Sequence, residues 1–282
     1  MSWFGNFGAI CRMIKIEHSI FALPFAYAGA FLAKRETPDL MTLLILTAAM
    51  VGIRSFAMAF NRIADLPFDR QNPRTMNRPL VTGEITLWQT WRFCALMVAM
   101  FVIACAALNE ACLILSFPTL LLAALYSYTK RFTWLCHFVL GAVIALAPVA
   151  GWLAVRPEFA LPQILLAAAV LFWIAGFDIL YACQDLGFDN TNGLRSLPVR
   201  HGAATALTAA AFCHVNTVLF LLLTGIALQL SFGWYACLAV SAGVLYWEHS
   251  IVSPADLSRL RTAFAVNGPV SLLLLVGTLL GI

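Results

Sequence analysis

Two short stretches concentrate acidic residues in an otherwise apolar chain. They are Asn61-Arg62-Ile63-Ala64-Asp65-Leu66-Pro67-Phe68-Asp69 and Tyr181-Ala182-Cys183-Gln184-Asp185-Leu186-Gly187-Phe188-Asp189, which share the pattern D-L-x-F-D. Residues four apart lie on one face of a helix, so Asn61 and Asp65 point the same way. Pro67 disturbs a helix, because proline lacks a backbone donor and its ring clashes with the preceding turn. Asp69 is therefore expected on a loop just beyond the helix, turned back toward Asp65. Asp185 and Asp189 repeat the spacing of Asp65 and Asp69.

Four carboxylates brought together repel one another unless something neutralises them. A hard divalent cation does so with oxygen ligands, and Mg²⁺ is usually held by one or two carboxylates together with substrate phosphates. Arg62, Arg70, Arg74, Arg78, Lys130 and Arg131 are available for the remaining phosphate charge. The chemistry implied is capture of a Mg²⁺–diphosphate, with apolar helices beneath it for a hydrocarbon tail. A single aspartate here would read as a solvated loop residue. It is the duplication, with Asn61, Tyr181 and Gln184 just ahead, that points to function.

Other polar residues are read more openly. Arg54 falls in mid-span, about two turns before Asn61; a charge there is costly and by default functional. It binds the carboxylate of an acidic substrate, or it pairs with an intramembrane acid such as Asp178. Tyr126 and Tyr181 contact diphosphate or a cation, or else belong to an interfacial aromatic belt. Glu17 and His18 line the cavity or, more readily, start a helix at the interface; Glu248 and His249 read as loop residues ending a span, and Trp3, Phe4 and Phe7 as an interfacial segment.

The elements that must position these residues follow from composition. Of 282 residues, 62% are apolar and 11% charged, an excess that no soluble globule of this size can bury. A spanning helix needs roughly 20 apolar residues. Cutting the apolar runs at charged or turn-rich breaks predicts nine spans, near 17–35, 40–64, 87–107, 110–129, 133–154, 161–182, 203–228, 231–251 and 262–281. The whole of 1–282 reads as one all-α transmembrane domain around a central cavity. Only Lys130 and Arg131 part the fourth span from the fifth. The long breaks, Asp65 to Thr86 and Asp185 to Gly202, fall on the side of the N-terminus. That side carries Arg12, Lys15, Arg62, Arg70, Arg74, Arg78, Lys130, Arg131, Arg195, Arg200, Arg259 and Arg261, against Lys34, Arg35 and Arg156 opposite. Basic residues favour the cytoplasm, so both acidic loops are expected to face it, in an inner (cytoplasmic) membrane. The first apolar run reads as a span, not a cleaved signal. The net charge of +4 is spread over loops and argues against nucleic acid as a partner. The eight cysteines form no C-x-x-C pair, and neither a disulfide framework nor a zinc site is expected of them.

Taken together, these motifs resemble the UbiA superfamily of intramembrane aromatic prenyltransferases, in particular its 4-hydroxybenzoate polyprenyltransferase branch. Asn61-Arg62-x-x-Asp65-x-x-x-Asp69 is similar to the family's first motif, with Asn72-Pro73-Arg74-Thr75-x-Asn77-Arg78-Pro79-Leu80-x-x-Gly83 as its continuation. Tyr181-Ala182-x-Gln184-Asp185-x-x-x-Asp189 is similar to the second, continued by Gly193-Leu194-Arg195-Ser196-Leu197-Pro198. Lys15-Ile16-Glu17-His18-Ser19-x-Phe21-Ala22-Leu23-Pro24-Phe25 and Tyr126-Ser127-Tyr128-Thr129-Lys130-Arg131-Phe132-Thr133 add to the likeness, which covers nearly the whole chain. Pro67 and Gly187 inside the motifs are the departures.

The resemblance implies Mg²⁺-dependent transfer of an isoprenoid from its diphosphate to an aromatic acid. Asp65, Asp69, Asp185 and Asp189 are then metal ligands, with Asn61 beside them. Asp65, Asp185 and Asp189 are the candidate catalytic residues, and an aspartate of the second motif is the candidate base. Asn61, Arg62, Lys130, Arg131, Arg54, Tyr126, Tyr181 and Gln184 are the candidate substrate contacts. The substrates implied are a polyprenyl diphosphate and 4-hydroxybenzoate, in respiratory quinone synthesis within membrane lipid. The same chemistry on a naphthoate-type acid of menaquinone synthesis is the near alternative. A secondary transporter is the alternative of another class; carboxylates in loops, rather than at the membrane midplane, count against it.

Overall fold

A computed structural model describes residues 7–15, 22–254, 256–260, 262–263 and 267–282. These residues are helical, with no β-strand among them. In chain order the helices are α1 (Phe7–Ile14), α2 (Leu23–Lys34), α3 (Leu40–Asp69), α4 (Pro79–Thr82), α5 (Leu87–Leu108), α6 (Glu110–Thr129), α7 (Cys136–Val155) and α8 (Leu161–Ala182). A 3₁₀ turn (Cys183–Asp185) leads into α9 (Leu186–Thr191), α10 (Leu197–Leu228), α11 (Phe232–Ser250) and α12 (Gly268–Gly281).

Six helices are long and apolar enough to cross a membrane: α3, α5, α6, α7, α8 with its continuation to Thr191, and α10. The chain is an integral membrane protein. A helix stands within each of the nine predicted spans, but α2 has 12 residues and α12 has 14, and neither they nor α11 are among the six. Residues 16–21, on which the start of the first predicted span falls, and 264–266, inside the last, lie outside the described residues, as do Trp3, Phe4, Glu17 and His18. The break after α6 is longer than the two basic residues suggested, because α7 begins only at Cys136.

The chain divides into two compact units. The first takes in Met1–Ile20 and Leu44–Tyr128. Its helices α3, α5 and α6 meet at Phe60, whose ring lies 5.9 Å from Trp91 and 6.1 Å from Tyr128 in edge-to-face contacts. In α6, 22% of the apolar stretch is buried inside the protein, so Ile114, Phe117 and Leu121 point outward. Water would not tolerate such a face, whereas lipid does.

The second unit takes in Phe21–Leu43 and Thr129–Ile282. Here α8 lies between α7 and α10, and α2 packs on α7. A Cβ at Gly29 would collide with the Pro148 carbonyl, and one at Gly151 with the Ala26 carbonyl. Small residues thus let the two backbones touch, which is how helices associate where no hydrophobic effect drives them. Ala175, Ile179, Leu180, Leu197, Ala206 and Ala210 form a buried cluster where α8 meets α10. Gly202 (φ 81°, ψ 165°) breaks α10 near its start, so a short lead-in precedes the long span beginning close to the predicted residue 203.

Candidate functional site

In the first unit the acidic motif ends α3. Asn61 Nδ2 donates to Asp65 Oδ2 at 2.9 Å, one helical turn on. Arg62 is buried; its Nε donates to the Met13 carbonyl at 3.4 Å and its Nη1 to Asn61 Oδ1 at 3.4 Å. A guanidinium, an amide and a carboxylate are thereby tied in series along one helix end.

Asp69 is not on a loop. It is the last residue of α3, which runs through Pro67. The proline forfeits one backbone donor, but the ladder resumes beyond it, with the Arg70 N–H reaching the Leu66 carbonyl at 3.3 Å. Asp69 thus falls one turn after Asp65, buried, and Arg78 Nη1 lies 2.5 Å from its Oδ2. The intervening loop is built to bring Arg78 back. Asn72 Oδ1 accepts from the Arg74 N–H at 2.9 Å, and Thr75 Oγ1 donates to the Asp69 carbonyl at 3.2 Å. Pro79 then opens α4, and Gly83 (φ 80°) closes it.

In the second unit Asp185 closes the 3₁₀ turn after α8, and Asp189 lies in α9. Both are buried. Lys130, from the link between α6 and α7, places Nζ 2.7 Å from Asp189 Oδ2. That link is clipped to the segment after α9. The Arg195 N–H donates to the Lys130 carbonyl at 2.6 Å, Arg195 Nη1 to the Phe132 carbonyl at 2.9 Å, and the Leu194 N–H to the Asp189 carbonyl at 2.9 Å. Burial works against the charge on Lys130. The Asp189 carboxylate, by charge and hydrogen bond, with Asp178 and Asp185 behind it, outweighs that and holds the amine above its ordinary value. Tyr181 and Gln184 are half-buried on either side of the α8 terminus, and Arg131 is exposed.

Arg54 is half-buried in α3, and its Nε is buried with no hydrogen-bond partner among the described residues. Tyr126 lies close enough to interact with it electrostatically. Asp178, weighed above as a partner for Arg54, is engaged by His137, whose Nδ1 lies 2.6 Å from Asp178 Oδ2. The Leu197 N–H points at His137 Nε2 at 3.3 Å, which makes Nε2 the lone-pair nitrogen and puts the ring proton on Nδ1, facing the carboxylate. Sequence reasoning passed over His137. Its signal was there: an ionisable residue inside an apolar run. Glu248 and His249 also depart from expectation. They lie within α11, and Glu248 is buried, because Asn267 beside α12 donates its amide to Glu248 Oε1.

Each unit carries aromatic rings ahead of its acidic motif. Phe56 and Phe60 stand 5.5 Å apart in α3; Trp173 and Phe177 stack at 6.1 Å in α8, with Phe25 5.1 Å from Trp173.

Residues 22–280 match the UbiA prenyltransferase family. The 4-hydroxybenzoate octaprenyltransferase of Nitrosomonas eutropha is 30% identical over 288 residues, covering 99% of each chain. A UbiA homologue from Aeropyrum pernix K1 has the same fold with a TM-score of 0.86 and 35% identity, over 94% of this chain and 98% of that one. A UbiA homologue from Archaeoglobus fulgidus, bound to GPP and Mg²⁺, shares the fold with a TM-score of 0.73 at 20% identity, over 96% and 98%.

Proposed function

Because the chain belongs to the UbiA prenyltransferase family, we propose that it transfers a polyprenyl group from its diphosphate to 4-hydroxybenzoate, with Mg²⁺, in respiratory quinone synthesis. The observation that carries this reading is the twofold occurrence of a buried aspartate held by a cation, Asp69 by Arg78 and Asp189 by Lys130. In this reading the basic groups that hold these carboxylates are able to move onto phosphate when a metal and an anion arrive.

The donor set fits the metal. Asp65, Asp69, Asp185 and Asp189 offer hard oxygens, and the Asn61 amide stands beside them. Bound there, Mg²⁺ would neutralise diphosphate oxygens and ease departure of the anion. Arg62, Lys130 and Arg131 pair with the phosphates, while Tyr126, Tyr181 and Gln184 contact the diphosphate. The C–O bond to the diphosphate breaks, and the allylic cation left behind faces aromatic rings such as Phe60 and Phe177, out of reach of water. The carbon ortho to the phenol attacks, a C–C bond forms, and the ring proton passes to a carboxylate of the second motif, Asp185 or Asp189. Arg54, with its unpartnered Nε, takes the carboxylate of the aromatic acid. In the same reading the chain makes nine crossings of an inner membrane, with both acidic motifs toward the cytoplasm.

The test is prenyl transfer in detergent from a radiolabelled prenyl diphosphate, with 4-hydroxybenzoate and separately with a naphthoate acid, with and without Mg²⁺. The expected result is a Mg²⁺-dependent product with 4-hydroxybenzoate that disappears in Asp65→Ala and in Asp185→Ala. Product with the naphthoate alone would move the acceptor to the menaquinone route. No product with either acid, from folded protein, would overturn the acceptor assignment, and solute uptake in proteoliposomes would then address the transporter alternative.

A further inference from the structure

A second polar cluster lies in the second unit, away from both acidic motifs in sequence. His214 of α10 and Glu248 of α11 are 2% and 1% exposed, and His249 is half-buried beside them. His214 Nδ1 lies 2.9 Å from His249 Nε2 and 3.4 Å from Glu248 Oε2, and one ligand atom from each residue falls within 4.8 Å of the others. Gly176 makes the room: a Cβ there would sit 2.6 Å from the His214 ring.

The hydrogen bonds around the cluster fix where its lone pairs point. His214 Nε2 lies 3.3 Å from the Trp173 carbonyl, which can only accept, so Nε2 carries the proton and Nδ1 the lone pair. Glu248 Oε1 accepts from Asn267 Nδ2, and Asn267 Oδ1 in turn accepts from Trp173 Nε1 at 2.9 Å. Glu248 Oε2 is buried and has no hydrogen-bond partner among the described residues. An imidazole lone pair and an unsatisfied carboxylate oxygen therefore face each other in an apolar setting, an arrangement that a proton or a metal ion between them relieves.

We propose that His214, Glu248 and His249 form a Zn²⁺ site that ties α10 to α11. Zinc binds imidazole and carboxylate at roughly 2.0–2.1 Å, so the edges of its tetrahedron are roughly 3.3 Å. The separations of 2.9 and 3.4 Å bracket that edge. Two imidazoles with one carboxylate suit Zn²⁺ and its neighbours in the first transition row, not Mg²⁺. The outer partners are those a metal site requires. The far nitrogen of one histidine is anchored on a carbonyl, and the far oxygen of the glutamate on an amide that is itself anchored. A water completes the four ligands. The cysteine spacing gave no hint of this site, because no cysteine belongs to it.

The test uses the full chain in detergent, stripped with a chelator and titrated with Co²⁺ as a visible reporter. Metal content is then measured after Zn²⁺ loading. The expected result is one Co²⁺ per chain with the intense absorption of four-coordinate cobalt, displaced by Zn²⁺ and not by excess Mg²⁺. His249→Ala and Glu248→Gln should each weaken Co²⁺ binding by at least about tenfold, while a variant with all four motif aspartates changed to asparagine keeps it. Folded wild-type protein that takes up no Co²⁺ would overturn the proposal. So would binding that survives both cluster variants or vanishes with the motif aspartates. If Glu248→Gln does not fold, the half-buried His249→Ala and the wild-type titration still decide.

Discussion

The two acidic motifs carry the same five-residue pattern, and each holds its second aspartate by a different route. In the first unit Asp69 is paired with Arg78, nine residues on, by a loop whose own Asn72 and Thr75 fold it back. In the second, Asp189 is paired with Lys130, 59 residues earlier, and the pairing needs the link after α6 to be pinned by Arg195. One arrangement is local and survives as long as its loop does. The other exists only when the Lys130 link, α9 and the segment carrying Arg195 are in place. A local contact costs little ordering entropy, whereas a distant one must be supported by packing. The first motif thus behaves as a self-contained local structure, and the second as a readout of the folded unit.

The largest effect should fall on both motifs alike. Asp65→Asn and Asp185→Asn are each expected to lower prenyl transfer by about 10²–10³-fold or more, measured as initial rate at saturating Mg²⁺. A loss in only one of them would break the equivalence. The next effect should separate the two. Lys130→Met leaves Asp189 buried without its cation and should cost about 3 kcal/mol. Arg78→Met also strands a buried aspartate, but the Asp69 side chain is 9% exposed against 3% for Asp189, so the cost should be smaller, about 2 kcal/mol. Thermal unfolding of the detergent-solubilised variants compares them, and equal losses would erase the distinction.

The Lys130 pair also predicts a pH profile. Its amine is held above the ordinary value, so its contribution is complete below the ordinary lysine range, about 10.4, and is lost only as pH rises through the raised value. The stability gap between wild type and Lys130→Met should therefore stay constant from neutrality to about pH 10 and close above it. A gap that narrows near pH 8 would contradict the assignment.

Smaller effects follow from two glycines of the second unit. Gly202 holds φ 81° and ψ 165°, a region essentially reserved for glycine, so Gly202→Ala should destabilise by about 1–3 kcal/mol. Gly187 is exposed in α9, and a Cβ there meets nothing within 4 Å. Gly187→Ala should stabilise by about 0.5–1 kcal/mol without changing transfer. A fall in activity would place that face against substrate.

The sequence was most legible where charge or turn residues interrupt apolar runs. The spans read as 110–129 and 161–182 coincide with α6 and α8, because Asn109 with Glu110, Lys130, Pro162 and the Cys183–Asp185 turn mark their ends. Pro67 misled because one lost hydrogen bond at a helix end was given too much weight. Glu248 and His249 misled because position at the end of a run says nothing about what packs over it. His137 was passed over because the residues that fix it, Asp178 and Leu197, are far along the chain.

Composition and pattern by themselves determined a membrane-embedded helical chain and placed two D-L-x-F-D motifs at span ends, since bilayer thickness and helix period are properties of short segments. Tertiary structure alone decided that Asp189 is held by Lys130, that Asp178 serves His137, and that His214, Glu248 and His249 converge. Those partners are separated by 34 to 59 residues, except for the adjacent Glu248 and His249. No local period encodes such meetings; only the packing of whole helices, with glycines where backbones must touch, brings them within a hydrogen bond's reach.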